Sequence, residues 1–349
     1  MAESEILTPA EEPHMHVKPG PLLLISLALS LHAVLTPSSH AAEPMTDGLL
    51  VDGSSTVYPL TREAARRFQR ARPGHAIEVK FSGTTAGFRR FCAGETDIND
   101  ASREMNAEEQ AHCAENGIRY RQVPLAMDSI AVVVHPSNRW ASDITVDELK
   151  RLWAPAAEGQ VMRWNQIRPE WPGRPVKLFG RGQDSGTYDV FTQEIVGTTH
   201  RSRQDYTASE DEEQLAASIA AEPDALGFFG IGAYHRHWED LKLLAVDNGS
   251  GPVFPTLETV SEGHYKPLTR PLFLYLNEQS LQRKPITQAF VEHYLDGLPS
   301  WIHFTGYMPL KAERYARSLA ALQQAQEPSA TGAQYSVGTT MLSGTGLRR

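Results

Sequence analysis

An α/β fold on a largely parallel sheet is predicted by two observations: short apolar strands alternate with amphipathic helices, and glycine- and hydroxyl-rich turns join them. Gly48-Leu-Leu-Val-Asp52 reads as a buried strand and Gly53-Ser-Ser-Thr56 as the turn after it. Residues 60–70 then read as a helix, with Leu60, Ala64 and Phe68 on one face. The unit repeats. Ala76-Ile-Glu-Val-Lys-Phe81 alternates as a strand, Ser82-Gly-Thr-Thr85 forms its turn, and residues 86–93 form a helix. A third segment, Asp97-Ile-Asn-Asp-Ala-Ser-Arg103, leads into a helix rich in Glu and Ala.

Further along, Ser129-Ile-Ala-Val-Val-Val134 is a strong buried strand, followed by a capping box at Thr145-x-x-Glu148 that opens a helix. Val176-Lys-Leu-Phe179 is a strand feeding a turn at Arg181, with a helix over 188–196. Ser209-x-x-Glu212 reads as a second capping box. The acidic cluster Glu210 to Glu213 is then a first helical turn meeting the dipole rather than a metal site. Strands over 225–229 and 271–276 and a helix over 286–295 complete the pattern, and the Ser/Thr/Gly-rich tail, 327–349, lacks any apolar period and is expected to be disordered.

The length of 349 residues suggests about two domains, and a formal net charge of -9 excludes the basic field that nucleic acid or an anionic membrane surface requires. An apolar run from Leu22 to Leu35 precedes Ser38-Ser-His-Ala-Ala42, so residues 1–41 are expected to form a signal peptide cleaved after Ala41. Lys18 is the only fixed positive charge before that run, and an uncleaved anchor is the alternative. Cys92 and Cys113 are the only cysteines and have no metal-ligand spacing. In an exported protein such a pair reads as a disulfide, two buried thiols being the other reading.

Three turns share one design: Ser54-Ser-Thr56, Ser82-Gly-Thr-Thr85 and Asp184-Ser-Gly-Thr187 each place hydroxyls and glycine between a strand and a helix start. Free backbone N–H groups, a positive dipole end and hydroxyl donors suit a tetrahedral oxyanion. Ser and Thr cap helices everywhere, so one such turn says little. Three in one chain, with Arg181 four residues before Ser185, say more, because a guanidinium fork matches oxyanion geometry.

The segments Asp52-Gly-Ser-Ser-Thr-Val-Tyr-Pro59, Phe81-Ser-Gly-Thr-Thr-Ala-Gly87, Asp97 to Arg103, Ile130 to Asn138 and Arg181-Gly-Gln-Asp-Ser-Gly-Thr187 resemble the periplasmic phosphate-binding proteins of ABC importers, the PstS type. Asp205 to Asp211, Ala225 to Gly230, Arg270-Pro-Leu-Phe273 and the cysteine pair resemble one branch of it. The resemblance runs over about 47–320 and implies a type II periplasmic-binding fold: two α/β lobes, joined by two crossover strands near Ser129 and Phe273, that close on the ligand. Residues 47–129 with 273–322 would form lobe I, and 130–272 lobe II.

The same resemblance implies phosphate contacts from Thr56 and the Val57 N–H, Thr84, Ser102 and Arg103 on one lobe, and from Arg181, Ser185, Gly186 and Thr187 on the other. Family members commonly add a carboxylate that accepts the phosphate proton and so rejects sulfate; Asp128 is the candidate here, with Asp184 second. The implied partners are phosphate, a membrane permease and its ATPase, with a monomeric binding protein. No cofactor and no catalysis are implied. Asp184-Ser-Gly matches a protease nucleophile segment, but the histidine context of that family is missing; Gly-x-Ser-x-Gly and P-loop patterns are missing too. His235-x-His237 reads as part of a surface helix. The remaining alternatives are capture of another oxyanion and a phosphate-sensing or adhesive surface role.

Overall fold

In a computed structural model that describes residues 48–324, strand and helix alternate from the first described segment, while the expected signal peptide and tail lie outside those residues. The chain opens with β1 (Leu49–Gly53), α1 (Tyr58–Ala71), β2 (Ile77–Val79), α2 (Thr84–Cys92), β3 (Ile98–Ala101), α3 (Ala107–Glu115) and the long β4 (Tyr120–Val134). It continues through β5 (Asp143–Thr145), α4 (Val146–Trp153), β6 (Lys177–Arg181), α5 (Gly186–Phe191), β7 (Thr207–Ser209), α6 (Glu212–Ala221), β8 (Ala225–Gly230) and α7 (Ile231–Arg236). Short strands β9 (Lys242–Leu243), β10 (Ala245–Asp247) and β11 (Pro252–Val253) and helix α8 (Leu257–Ser261) precede β12 (Thr269–Asn277). Then come α9 (Glu278–Arg283), α10 (Pro285–Gly297), β13 (Met308–Pro309) and α11 (Ala312–Gln324).

One sheet runs β2-β1-β3-β12-β4-β8-β6-β7. Its two ends are parallel, β1 pairing with β2 and β3, and β6 with β7 and β8. The middle is antiparallel: β12 pairs with both β3 and β4, and β4 with β8. The largely parallel sheet expected from alternation alone therefore describes the ends and misses the strands that link them. Strand β4 is 15 residues long, and only its apolar 129–134 stretch is legible in the sequence. Its first part pairs with β12 as far as Ser129, and Ile130–Val134 pairs with β8. Pro124 and the polar Gln122 and Asp128 interrupt the apolar signal there, and pairing with β12 keeps the segment extended anyway.

The predicted stripe on α1 is buried, with Leu60, Ala64 and Phe68 no more than 1% exposed. The four tryptophans 140, 153, 164 and 171 pack in or against the core of the β6–β8 end, where Trp153 meets Phe191, Tyr206 and Phe228 edge-on. A second, larger core surrounds β1 and β12 and reaches across to Ile219 and Phe229, so the two ends of the sheet share apolar packing. A small third cluster holds Phe88, Phe91 and Tyr275 around the Cys92–Cys113 disulfide, which joins α2 to α3. Closing that loop stabilises the fold by about 3 kcal/mol through the unfolded chain.

The first predicted capping box forms: Thr145 Oγ1 accepts from the Glu148 N–H at 3.1 Å, and Glu148 returns a bond to the Thr145 N–H at 2.8 Å. The second does not. Asp211 caps α6 instead, accepting from the N–H groups of Glu213 and Gln214, while Ser209 bonds Gln214. That shift moves Glu212 from the third helical position to the first, too early to reach back to a cap, and it is buried, 3% exposed. Among the described residues no helix is long and apolar enough to cross a membrane, and no group of His, Cys, Asp or Glu could hold a metal ion.

Candidate functional site

The turns after β1, β2, β3 and β6 meet at the carboxyl ends of their strands, where the starts of α2 and α5 also converge. Thr84 and Ser102 hydroxyls lie 3.0 Å apart, and the Ser102 N–H donates to Thr84 Oγ1 at 3.2 Å. Gly186 faces this pair from the other side. A Cβ there would stand 2.6 Å from Ser102 Oγ and 2.8 Å from Thr84 Oγ1, so only glycine permits the approach. Thr56 and Thr187 hydroxyls face each other at 3.3 Å. Ser185 caps α5 by accepting the Thr187 N–H at 3.1 Å. Thr56, Thr84, Ser102, Ser185 and Thr187 are all buried, and the structure brings them together. Val57 is the cap residue of α1, and its N–H faces Ser54 Oγ at 3.4 Å.

Two buried arginines flank the hydroxyls. Arg181 donates Nε–H to Ser185 Oγ at 3.0 Å and uses Nη2 on Ser55 Oγ and Glu210 Oε2; its Nη1 has no partner among the described residues. Arg270, on β12, binds Asp128 Oδ2 with Nε at 2.9 Å and Nη2 at 2.8 Å. The same Nη2 reaches Thr187 Oγ1 at 2.7 Å and Thr56 Oγ1 at 3.3 Å, and Nη1 is again without a partner among the described residues. Arg270 is the residue that sequence reasoning passed over. It lies in no glycine-rich turn, and its only signal is its place in the Arg270-Pro-Leu-Phe273 segment.

Carboxylates complete the cluster. Burial pushes the Asp128 carboxyl up to about 6, against the pull of Arg270 and helped by nearby Glu212. Burial likewise raises Glu210. Glu212 Oε1 accepts from the Thr56 hydroxyl at 2.7 Å and from the Gly230 N–H at 3.3 Å.

Two expected contributors stand elsewhere. All five N–H groups of Arg103 are engaged: Nε with Asp189, Nη1 with Glu104 O and Glu109, Nη2 with Thr85 and Glu109. No donor is left for an anion, and Arg103 is a bridge between elements rather than a ligand. Asp184 is half-buried and pairs with Arg89 at 2.6 Å, while its carbonyl accepts the Thr85 N–H at 3.0 Å. His237, expected on a surface helix, follows α7 and meets Glu213 at 2.7 Å.

The site is a nest of hydroxyls and guanidinium groups fit for a small tetrahedral oxyanion. Ser185 Oγ accepts from both Arg181 Nε and the Thr187 N–H.

Residues 38–296 match a model of the PBP superfamily domain. The chain is 44% identical over 295 residues to Protein SphX of Synechocystis sp., spanning 84% of this chain and 85% of that protein. It is 28% identical over 281 residues to the phosphate-binding protein PstS of Staphylococcus haemolyticus, covering 80% of this chain and 86% of that one. Among solved structures, a possible phosphate-binding protein from Planctomyces limnophilus is 33% identical with a TM-score of 0.59, over 80% of this chain and 99% of that one. The extent and identity of these matches lead to one conclusion: the chain is a member of the PBP superfamily, similar to SphX and to the PstS phosphate-binding proteins.

Proposed function

We propose that this protein captures inorganic phosphate in the periplasm and delivers it to the permease and ATPase of an ABC-type importer, without catalysis. One observation carries the reading: hydroxyls from four turns and two buried arginines, each with one unpartnered nitrogen, meet from both ends of the sheet. Thr56, the Val57 N–H, Thr84, Ser102, Arg181, Ser185, Gly186 and Thr187 would surround the anion, joined by Arg270. Asp128, whose Oδ1 has no partner among the described residues, would accept a phosphate proton.

Residues 47–129 with 273–322 would act as one lobe and 130–272 as the other, with β4 and β12 as the crossovers. Closure would be favoured only when a bridging anion satisfies donors on both, and the permease would read the closed shape. Export by the leader 1–41 and a monomeric state belong to this proposal.

Calorimetry on protein freed of phosphate by unfolding and dialysis tests it, with phosphate, sulfate, molybdate and phosphonates as ligands. Phosphate is expected to bind tightest; tight sulfate binding with weak phosphate binding would defeat the reading. Gly186→Ala gives a second check. The added methyl collides with Ser102 and Thr84, an overpacking of about 1–3 kcal/mol that falls on the closed form. Phosphate affinity should drop roughly 10–100-fold at 1.4 kcal/mol per decade, while the thermal melt without phosphate stays near that of the parent.

A further inference from the structure

We propose that Glu212 is a second proton acceptor for the bound anion, so that with Asp128 it makes the site selective for dihydrogen phosphate. The inference rests on the phosphate reading above and deepens it. Four buried polar atoms of charged side chains at the site have no partner among the described residues: Arg181 Nη1, Arg270 Nη1, Asp128 Oδ1 and Glu212 Oε2. Two are donors that want bare oxygens, and two are acceptors that want hydroxyls. H2PO4⁻ carries two of each. Sulfate offers four bare oxygens and no proton, and hydrogen phosphate offers only one hydroxyl.

The carboxylates share one locus. A Cβ built on Gly230 would lie 3.3 Å from both Asp128 Oδ2 and Glu212 Oε1, and 2.9 Å from the Thr56 methyl. They differ in what neutralises them. Asp128 holds the Arg270 guanidinium by two bonds to one oxygen, so the pair presents little net charge. Glu212 has only neutral donors, the Thr56 hydroxyl and the Gly230 N–H. Its charge is the less compensated of the two, and an anion with no proton to share meets it as a like charge in a buried setting. The Glu212 charge also adds to the burial that raises Asp128. Other titratable or charged groups around Glu212 are Arg270 on β12, Arg236 on α7, Tyr307 before β13 and Glu210 just ahead of α6. Tyr307 is buried, which holds its phenol neutral, and Arg236 is bound to Glu213.

The test is calorimetry of the wild-type chain and of Glu212→Gln with phosphate and with sulfate, across the second ionisation of phosphate. Wild-type affinity for total phosphate is expected to fall by about tenfold per pH unit above that ionisation, the slope for one bound proton. In Glu212→Gln the amide donates to a bare oxygen, so the slope should flatten and sulfate affinity rise at least about tenfold. A wild-type affinity that is flat across the ionisation overturns the proposal without needing any variant to fold. So does a Glu212→Gln protein that keeps both the slope and the sulfate rejection. A wild-type protein that binds no phosphate at any pH would instead overturn the phosphate reading itself.

Discussion

Arg270→Ala is expected to weaken phosphate binding by about 10²–10³-fold or more, the consequence of losing about 3–5 kcal/mol at a buried charge pair. Two effects add. The anion loses a guanidinium that also holds the Thr56 and Thr187 hydroxyls in place. Asp128, 1% exposed, is left without its cation, and a buried, unpaired carboxylate repels an anion until it takes up a proton. Arg181→Ala should come close in size, because Arg181 is equally buried and also positions Ser185. Asp184→Asn should change affinity by no more than about fivefold, since a surface pair such as Asp184–Arg89 contributes at most about 1 kcal/mol. Titration of the three variants with phosphate checks the ranking. Equal losses in Arg181→Ala and Asp184→Asn would mean that the turn binds its ligand through other groups.

Arg103→Ala is the second large effect, and it acts away from the anion. Arg103 lies between β3 and α3, yet it donates to Asp189 on α5, at the other end of the sheet. Thr85 also donates to Asp189, and its N–H to the Asp184 carbonyl. These bonds cross between the two ends just where an anion would have to bridge them. If closure makes them, removing the guanidinium takes the arginine from both Glu109 and Asp189, leaves Asp189 with Thr85 and His200 alone, and destabilises the closed form. A loss of about 2–3 kcal/mol, below the full figure for a buried pair because Arg103 is 12% exposed, corresponds to roughly 30–150-fold in affinity. Stopped-flow release should show the change mainly as faster phosphate dissociation. An unchanged release rate would assign the bridge to folding alone.

His200 lends the same carboxylate a pH dependence. Its Nε2 pairs with Asp189, and that bond raises the imidazole above its ordinary value despite partial burial. A raised histidine stabilises the folded state in full below the ordinary imidazole range. The contribution fades as pH rises through the raised value.

Much of this was legible from residue order alone. Strand–turn–helix units show because apolar period and glycine placement are local, and the Arg181–Thr187 turn could be nominated for the same reason. The Thr145 box was readable too, since its two bonds join residues three apart. Glu212 was misread by the same local logic. A capping pattern matched at Ser209, but Asp211 competed for the cap and turned Glu212 inward.

What the sequence by itself determined is the α/β class, the hydroxyl- and glycine-rich turns and the family. Each is a matter of residue type and spacing along the chain. Which charges gather at those turns was decided only by the tertiary structure. Arg270 stands 142 positions from Asp128 and becomes its partner because β12 runs antiparallel to β4, with Arg270 registered on Asp128. Arg103 sits in a segment that looks fit for phosphate, yet Glu109 and Asp189 claim it first. A guanidinium binds whichever carboxylates burial brings within reach, and that choice depends on strand register and sheet order.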